Sequence, residues 1–307
     1  MRRKMGLLVL IALVAAAAPL RDDGYTIKIK KSGQGNVTKQ DKEETDNSSF
    51  KLEGPDGKAL KENKEERAVT QAYKETVLEK KEGKKATKLR RAYTKAVVKV
   101  GDKETTLPYQ GKTVVIEKKD GKYHFTIEGG AELTGKDAEL LNRAFNKGGD
   151  DSDSDDLEKA FLPKKPVKEG DTWTIDGPAI VKAFEKGAAQ PIPVDKDKAS
   201  GKGKLLRAYK EGGRQYGDFV IDLDVPLKGE FPLGPGQTAP IQAGSKMAMK
   251  VQLKKACIDG TASDGNVEVA FNMELTATFK GPDGKEYKIT INGKHAEKSK
   301  EEEVPKK

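Results

Sequence analysis

Phe271-Asn272-Met273-Glu274-Leu275-Thr276-Ala277-Thr278-Phe279 swaps apolar and polar residues without a break. Successive side chains of an extended chain point to opposite sides. A period of two therefore reads as a strand with one face in the core and one in water. Residues 219–225 and 247–253 repeat the pattern, and Tyr25, Ile27 and Ile29 alternate with Thr26, Lys28 and Lys30. One-side-wet strands of this kind belong to antiparallel sheets.

Turn chemistry joins them. Asp120-Gly121 lies between Val114-Val115-Ile116 and Tyr123-His124-Phe125, a type I′ hairpin signal. Gly281-Pro282-Asp283-Gly284 separates Phe279 from Tyr287-Lys288-Ile289, and Gly54-Pro55-Asp56-Gly57 repeats that turn earlier in the chain. Helical signals cluster in the middle. Thr134 with Asp137 resembles a capping box ahead of Leu140, Leu141, Ala144 and Phe145. Ser154 would cap a short helix ending at Pro163, and Asp176-Gly177-Pro178 would open a third, carrying Ile180, Ala183 and Phe184.

The expected fold is thus α+β: a large curved, mainly antiparallel sheet, half-barrel-like, with a few short helices from the middle of the chain packed on one face. Composition agrees. Of 307 residues, 35% are hydrophobic against a norm of about 45–50%, and 35% are charged against roughly 25%. Such a chain covers one face of a sheet, not both, which argues against an all-parallel, doubly buried sheet.

Residues 1–18 read as a signal peptide: a basic Arg2-Arg3-Lys4, an apolar run, then Ala15-Ala16-Ala17-Ala18 as a small-residue cleavage site. The run is too short for a span, and no other long apolar stretch follows, so no membrane span is expected after cleavage. Residues 19–296 read as a single α+β domain. It divides into two β-rich halves, 24–149 and 157–296, joined by an acidic linker, with 297–307 as a charged flexible tail. Lys88-Leu89-Arg90-Arg91-Ala92-Tyr93 and Lys204-Leu205-Leu206-Arg207-Ala208-Tyr209 hint that the halves are related.

Chemistry-bearing residues are few. His124 and His295 are the only histidines, and both read as solvated surface residues without a neighbouring nucleophile motif. Cys257 continues the odd-numbered apolar face of Met247, Met249, Val251 and Leu253, and reads as a buried small hydrophobe. Asp151-x-Asp153-x-Asp155 copies the opening of a calcium loop. Asp156 then stands where glycine is needed and Leu162 where the bidentate glutamate is needed, so only a weak metal candidate remains. No catalytic residue and no cofactor motif is found, and a carboxylate-only glycosidase is the least supported reading. The formal charge is +9, from 58 Lys plus Arg and 49 Asp plus Glu. The lysines interleave with glutamates and lack arginine or aromatic platforms, so nucleic acid is not the expected partner.

Leu162-Pro163-Lys164-Lys165-Pro166-Val167-Lys168-Glu169-Gly170-Asp171-Thr172-Trp173 holds the only tryptophan. Two prolines force an extended approach, Gly170-Asp171 turns, and the indole would anchor the middle of the chain onto the sheet. The stretch resembles a Leu-Pro-x-x-Pro-Val-x-x-Gly-Asp-x-Trp signature of a family of secreted bacterial proteins. The segment 25–31 and Gly111-Lys112-Thr113-Val114 are similar to segments of the same family. The resemblance spans short stretches, has no assigned activity and implies no catalytic residue.

The resulting expectation is a secreted or periplasmic, non-catalytic binding protein for a hydrophobic or amphiphilic ligand. Met247, Met249, Phe271, Met273, Leu275 and Trp173 would line its cavity, or simply fill a core. The alternative is a cell-envelope structural or interaction protein whose Lys-rich surface meets an acidic polymer.

Overall fold

The computed structural model describes residues 23–30, 33–81, 84–146, 160–187, 193–234 and 236–305. The expected signal peptide, the acidic linker and Asp151, Asp153 and Asp155 lie outside these residues.

Strands leave the centre of the sheet in two directions. On one side stand β1 (Val37–Glu53), β2 (Ala59–Lys80), β3 (Ala86–Val100), β5 (Thr113–Lys119) and β6 (Lys122–Ile127). A short β4 (Lys103–Thr106) also pairs with β3. On the other side stand β14 (Glu286–Glu303), β13 (Gly265–Lys280), β12 (Lys246–Cys257), β9 (Arg214–Pro226), β8 (Ser200–Glu211) and β7 (Thr172–Ile175). The first and last strands of this sheet, β1 and β14, meet in the middle, from Thr38 opposite Glu303 to Glu53 opposite Lys288. A separate hairpin joins β10 (Glu230–Gly234) to β11 (Gln237–Pro240). The architecture is a large, open, mostly antiparallel sheet with few helices.

Residues directly opposite in antiparallel strands point to the same side. Register therefore links the whole sheet: Val69, Glu44, Glu297, Val269, Val251, Ile221, Gly203 and Trp173 share one face. That face carries two cores. The first gathers Tyr73, Leu89, Tyr93, Tyr109, Ile116 and Phe125 with Leu141. The second gathers Leu205, Phe219, Leu223, Met247 and Leu275 with Ile180. The opposite, outer face of β1 and β14 alternates into solvent, with Lys39, Asp41, Glu43, Lys294, Lys298 and Lys300 exposed. A barrel that crosses a membrane sets its apolar band there instead.

Each core takes a helix on the core face. A 3₁₀ turn (Gly135–Ala138) leads into α1 (Glu139–Phe145), which buries Leu141. Thr134 holds the expected N-cap position, but its side chain caps nothing; Ala144 is exposed rather than inward. Helix α2 (Gly177–Gly187) lays Ile180 directly over Gly201. A Cβ there would stand 2.6 Å from Leu223 and 3.0 Å from Ile180, so only glycine allows this approach.

The turns follow their sequence signals. Asp120 and Gly121 both have positive φ, as type I′ requires. The two Gly-Pro-Asp-Gly turns are built alike. Asp56 accepts from the Lys58 amide and Asp283 from the Lys285 amide, both at 3.1 Å, and Gly57 and Gly284 share a φ of 74°. Because Glu53 pairs with Lys288, the two turns sit together at one end of the sheet. The exposed edge of β6 is closed by Asn146. Its side-chain oxygen accepts from the Tyr123 amide at 2.8 Å, and its amide donates to the Tyr123 carbonyl at 3.0 Å. A blocked edge resists sheet-to-sheet addition.

One expectation fails outright. Residues 297–303 are not a flexible tail but the end of β14, paired with β1 throughout and with β13 as far as Glu301. Their charges alternate, so Lys298, Lys300 and Glu302 face water while Glu297, Glu301 and Glu303 find partners on the core face. A charged run that alternates with period two satisfies a strand as well as an apolar one does, once a neighbour supplies counter-charges.

Candidate functional site

Between the two cores, the same face turns polar. From β1 it receives Gln40, Lys42, Glu44 and Asp46, and from β14 His295, Glu297, Ser299 and Glu301. These side chains are half-buried, unlike their exposed neighbours on the outer face. Lys42 bridges Glu44 and Glu297, the latter at 3.1 Å. These two carboxylates raise the Lys42 pKa, against the lowering effect of its burial. His295 Nδ1 meets Asp46 Oδ1 at 2.7 Å, and Arg143 of α1 reaches Asp46 Oδ2 at 3.7 Å.

Toward the C-terminal end of β14, carboxylates crowd. Gln40 Nε2 donates to Glu301 at 3.1 Å, and Gln40 Oε1 accepts from the Tyr73 hydroxyl at 2.9 Å. Burial, and then Glu75, Asp264 and Glu303, push Glu301 up to about 7. Glu303 is held by Lys30 at 2.6 Å and accepts from the Ser263 amide at 3.1 Å. Lys30 belongs to a strap formed by residues 23–30. The strap exchanges two backbone bonds between Tyr25 and Val167, gives one from Lys28 to Ile258, and buries Ile27 in the second core.

Next to the polar rows, on the side of the second core, lies an apolar patch. Met249, Val251 and Leu253 of β12 stand opposite Phe271, Val269 and Val267 of β13, and all are half-buried. The rows continue directly into polar groups: Phe271 is opposite His295, Val269 opposite Glu297 and Val267 opposite Ser299. The face thus grades from buried apolar at β9, through half-buried apolar at β12 and β13, to charged at β14 and β1.

The residues singled out in the sequence sort accordingly. Met247 and Leu275 are buried core members at 0% and 3% exposure. Met249, Phe271 and Met273 are half-buried beside them. Trp173 lies flat against Gly203, where a Cβ would strike its ring, stands 6.4 Å from Phe219, and donates from Nε1 to the Phe161 carbonyl at 2.8 Å. That is an anchor tying the middle of the chain to the sheet.

His124 is half-buried and meets the exposed Glu132 at 2.8 Å. His295, expected near a solvated tail, instead sits on the core face, because β14 continues past it. Cys257 is buried as expected, but not with Met247. A bulge between Leu253 and Ala256, with Lys255 at a φ of 52°, shifts the phase by one residue. Ala256 takes the core-face position, and Cys257 joins Tyr216 and Ala262 on the other side.

The polar rows went unrecognised in the sequence. The parity of β14 was the available signal, since His295 is in phase with Ile289 and Ile291. Among the described residues, no hydroxyl or thiol hydrogen-bonds to His295, and no group of metal-ligating side chains is assembled. The arrangement can order a polar group beside an apolar one.

No protein-family model matches the chain, and no curated protein matches it. Among solved structures, Pseudomonas aeruginosa OpdQ is similar at 9% identity and a TM-score of 0.18, over 88% of this chain and 98% of that one. P. aeruginosa OccK5 (OpdH) gives the same identity and TM-score over 87% and 98%. Acinetobacter baumannii OccAB4 gives 8% and 0.13 over 87% and 98%. Likeness this faint carries no argument about fold or function.

Proposed function

We propose that this chain is an exported, non-catalytic binding protein that takes a hydrophobic or amphiphilic ligand on the core-bearing face of its sheet. One observation carries the reading: the half-buried patch of Met249, Val251, Leu253, Val267, Val269 and Phe271 abuts a charged row register for register. An apolar tail laid on the patch would complete its burial. Each further 100 Å² covered contributes about 2.5 kcal/mol. The polar end would meet Lys42, His295 and Arg143. A sheet bent toward this face, half-barrel-like, would form the floor, with the two cores as walls. Export rests on the 1–18 signal and on the resemblance to secreted bacterial proteins.

Native mass spectrometry of the protein purified from the exported fraction tests this. The expected result is a discrete extra mass, lost on denaturation and identified as an amphiphile. It should be absent from a folded Val251→Asp, Val269→Asp variant. A bare protein mass, together with failure to take up a fluorescent fatty acid, would overturn the proposal.

A further inference from the structure

The outer face has a charge pattern of its own, independent of the core-face ligand. Along β13 the outward residues include Asn266, Glu268, Ala270, Asn272 and Glu274. They form a lane one strand wide. On one side β12 lines it with Lys246, Lys250 and Lys254, and on the other β14 lines it with Lys294, Lys298 and Lys300. All six lysines are exposed. The two rows are two strand spacings apart, about 10 Å, and nine residues of β13 make the lane roughly 30 Å long.

Three of the six have acidic partners: Lys254 with Glu268 at 2.9 Å, Lys250 with Asp222 at 3.6 Å and Lys300 with Glu302 at 2.6 Å. Lys246 and Lys294 have no ion pair among the described residues. The floor is low where the side chains are small. Ala248, Lys250, Ala270 and Asn272 form one margin of an open depression of about 400 Å³ that extends over β9 and β8, where Lys202, Asp222 and Asp224 also line it.

The geometry points to a binding lane for a linear, carboxylate-bearing polysaccharide lying along β13 of the outer face. The lysines would meet its carboxylates as point charges. Asn266 and Asn272 would offer amide donors and acceptors to its hydroxyls, and Ala270 lets a sugar ring come close to the sheet. Two parallel lysine rows suit a chain rather than a plane, and no apolar side chain projects from the lane to enter a bilayer. No arginine is present to grip phosphate with two parallel bonds.

Polygalacturonate is the probe, titrated against the full chain by calorimetry at several salt concentrations. The expected result is binding at low salt, with log K falling linearly as log salt rises. Lys246→Glu with Lys294→Glu should weaken binding at least tenfold. Lys95→Glu with Lys99→Glu, equally exposed on the outer face of β3, should leave it unchanged. Circular dichroism of both variants confirms the fold. The lane is refuted by no binding, by equal weakening in both variants, or by tighter binding to polyphosphate or phosphatidylglycerol vesicles at matched charge. None of these results bears on the amphiphile reading, whose residues lie on the opposite face.

Discussion

The two cores lie on one face of one sheet, yet they are built from different chemistry. The first is a ladder of tyrosines. Tyr73 and Tyr93 are 5.2 Å apart, Tyr93 and Tyr109 are 4.7 Å apart, and Arg91 lies 4.4 Å over Tyr73 while pairing with Glu75 at 2.7 Å. The second is mainly aliphatic, with Phe219 as the aromatic among its buried residues and Trp173 and several phenylalanines packed at its margin. A core of tyrosines must place hydroxyls, and this one does so incompletely: the buried Tyr93 hydroxyl lies beside Arg91 but makes no well-formed hydrogen bond among the described residues. The aliphatic core has one such obligation, the Trp173 indole, which the Phe161 carbonyl meets; otherwise it depends on close packing, down to Gly201 and Gly203, which leave room for Ile180 and Trp173. The same alternation in sequence therefore supports two kinds of interior, one sensitive to volume and the other to polar pairing.

The largest expected effect comes from attacking volume. Phe219→Ala, at a side chain 1% exposed, should cost about 3–5 kcal/mol in denaturant unfolding. Hydrogen exchange should show the loss in β8, β9 and β12 first. Equal loss of protection in β3 and β5 would mean that the two cores unfold as one, and the contrast between them would lapse. Next is the polar pairing of the first core. Arg91→Ala removes the ion pair and both ring contacts, on Tyr73 and Phe145, and strands Glu75 with its side chain 16% exposed. The expected cost is about 2–4 kcal/mol, and an effect below 1 kcal/mol would show that the ladder stands on ring packing alone.

The seam between the cores should respond to pH. Glu301, raised to about 7, binds its proton more tightly folded than unfolded, where a carboxylate titrates near 4.5. Stability should thus fall as pH rises from about 4.5 to about 7. Glu301→Gln should flatten that fall, match the wild type at pH 4 and exceed it at pH 8 by on the order of 1 kcal/mol, after allowance for solvent screening. Superimposable pH profiles would remove Glu301 from the account. The smallest effect is reserved for Tyr93→Phe. Deleting a buried hydroxyl that makes no well-formed hydrogen bond should shift stability by less than about 0.5 kcal/mol or raise it slightly. A loss above 1 kcal/mol would mean that the hydroxyl is paired in solution.

Period-two alternation, the Asp120-Gly121 hairpin, the paired Gly-Pro-Asp-Gly turns, the helix opening at Gly177 and the burial of Cys257 were all legible in the sequence. Each rests on forces acting within a few residues. The face that Cys257 occupies was not legible, because a single extra residue near Lys255 inverts the phase. The last residues of β14 also escaped. Lys298 through Glu303 lack apolar residues, and only the β1 and β13 ladders on either side make that segment a strand. Lys88–Tyr93 and Lys204–Tyr209 look alike in sequence. Yet Arg91 faces the first core opposite Glu75, while a bulge after Leu205 turns Arg207 outward opposite Asp218.

Between bulges, local pattern fixes which residues of a strand share a side, where the chain turns, and that one face of the sheet is wet. Only the folded sheet fixes which strands distant in the chain are neighbours. The pairing of β1 with β14 set Asp46 against His295, 249 residues apart, and completed the charged rows beside the apolar patch. The physical reason is that backbone hydrogen bonding is indifferent to sequence. Any extended segment can pair with any other, so the partner is chosen by the burial and charge balance of the whole sheet.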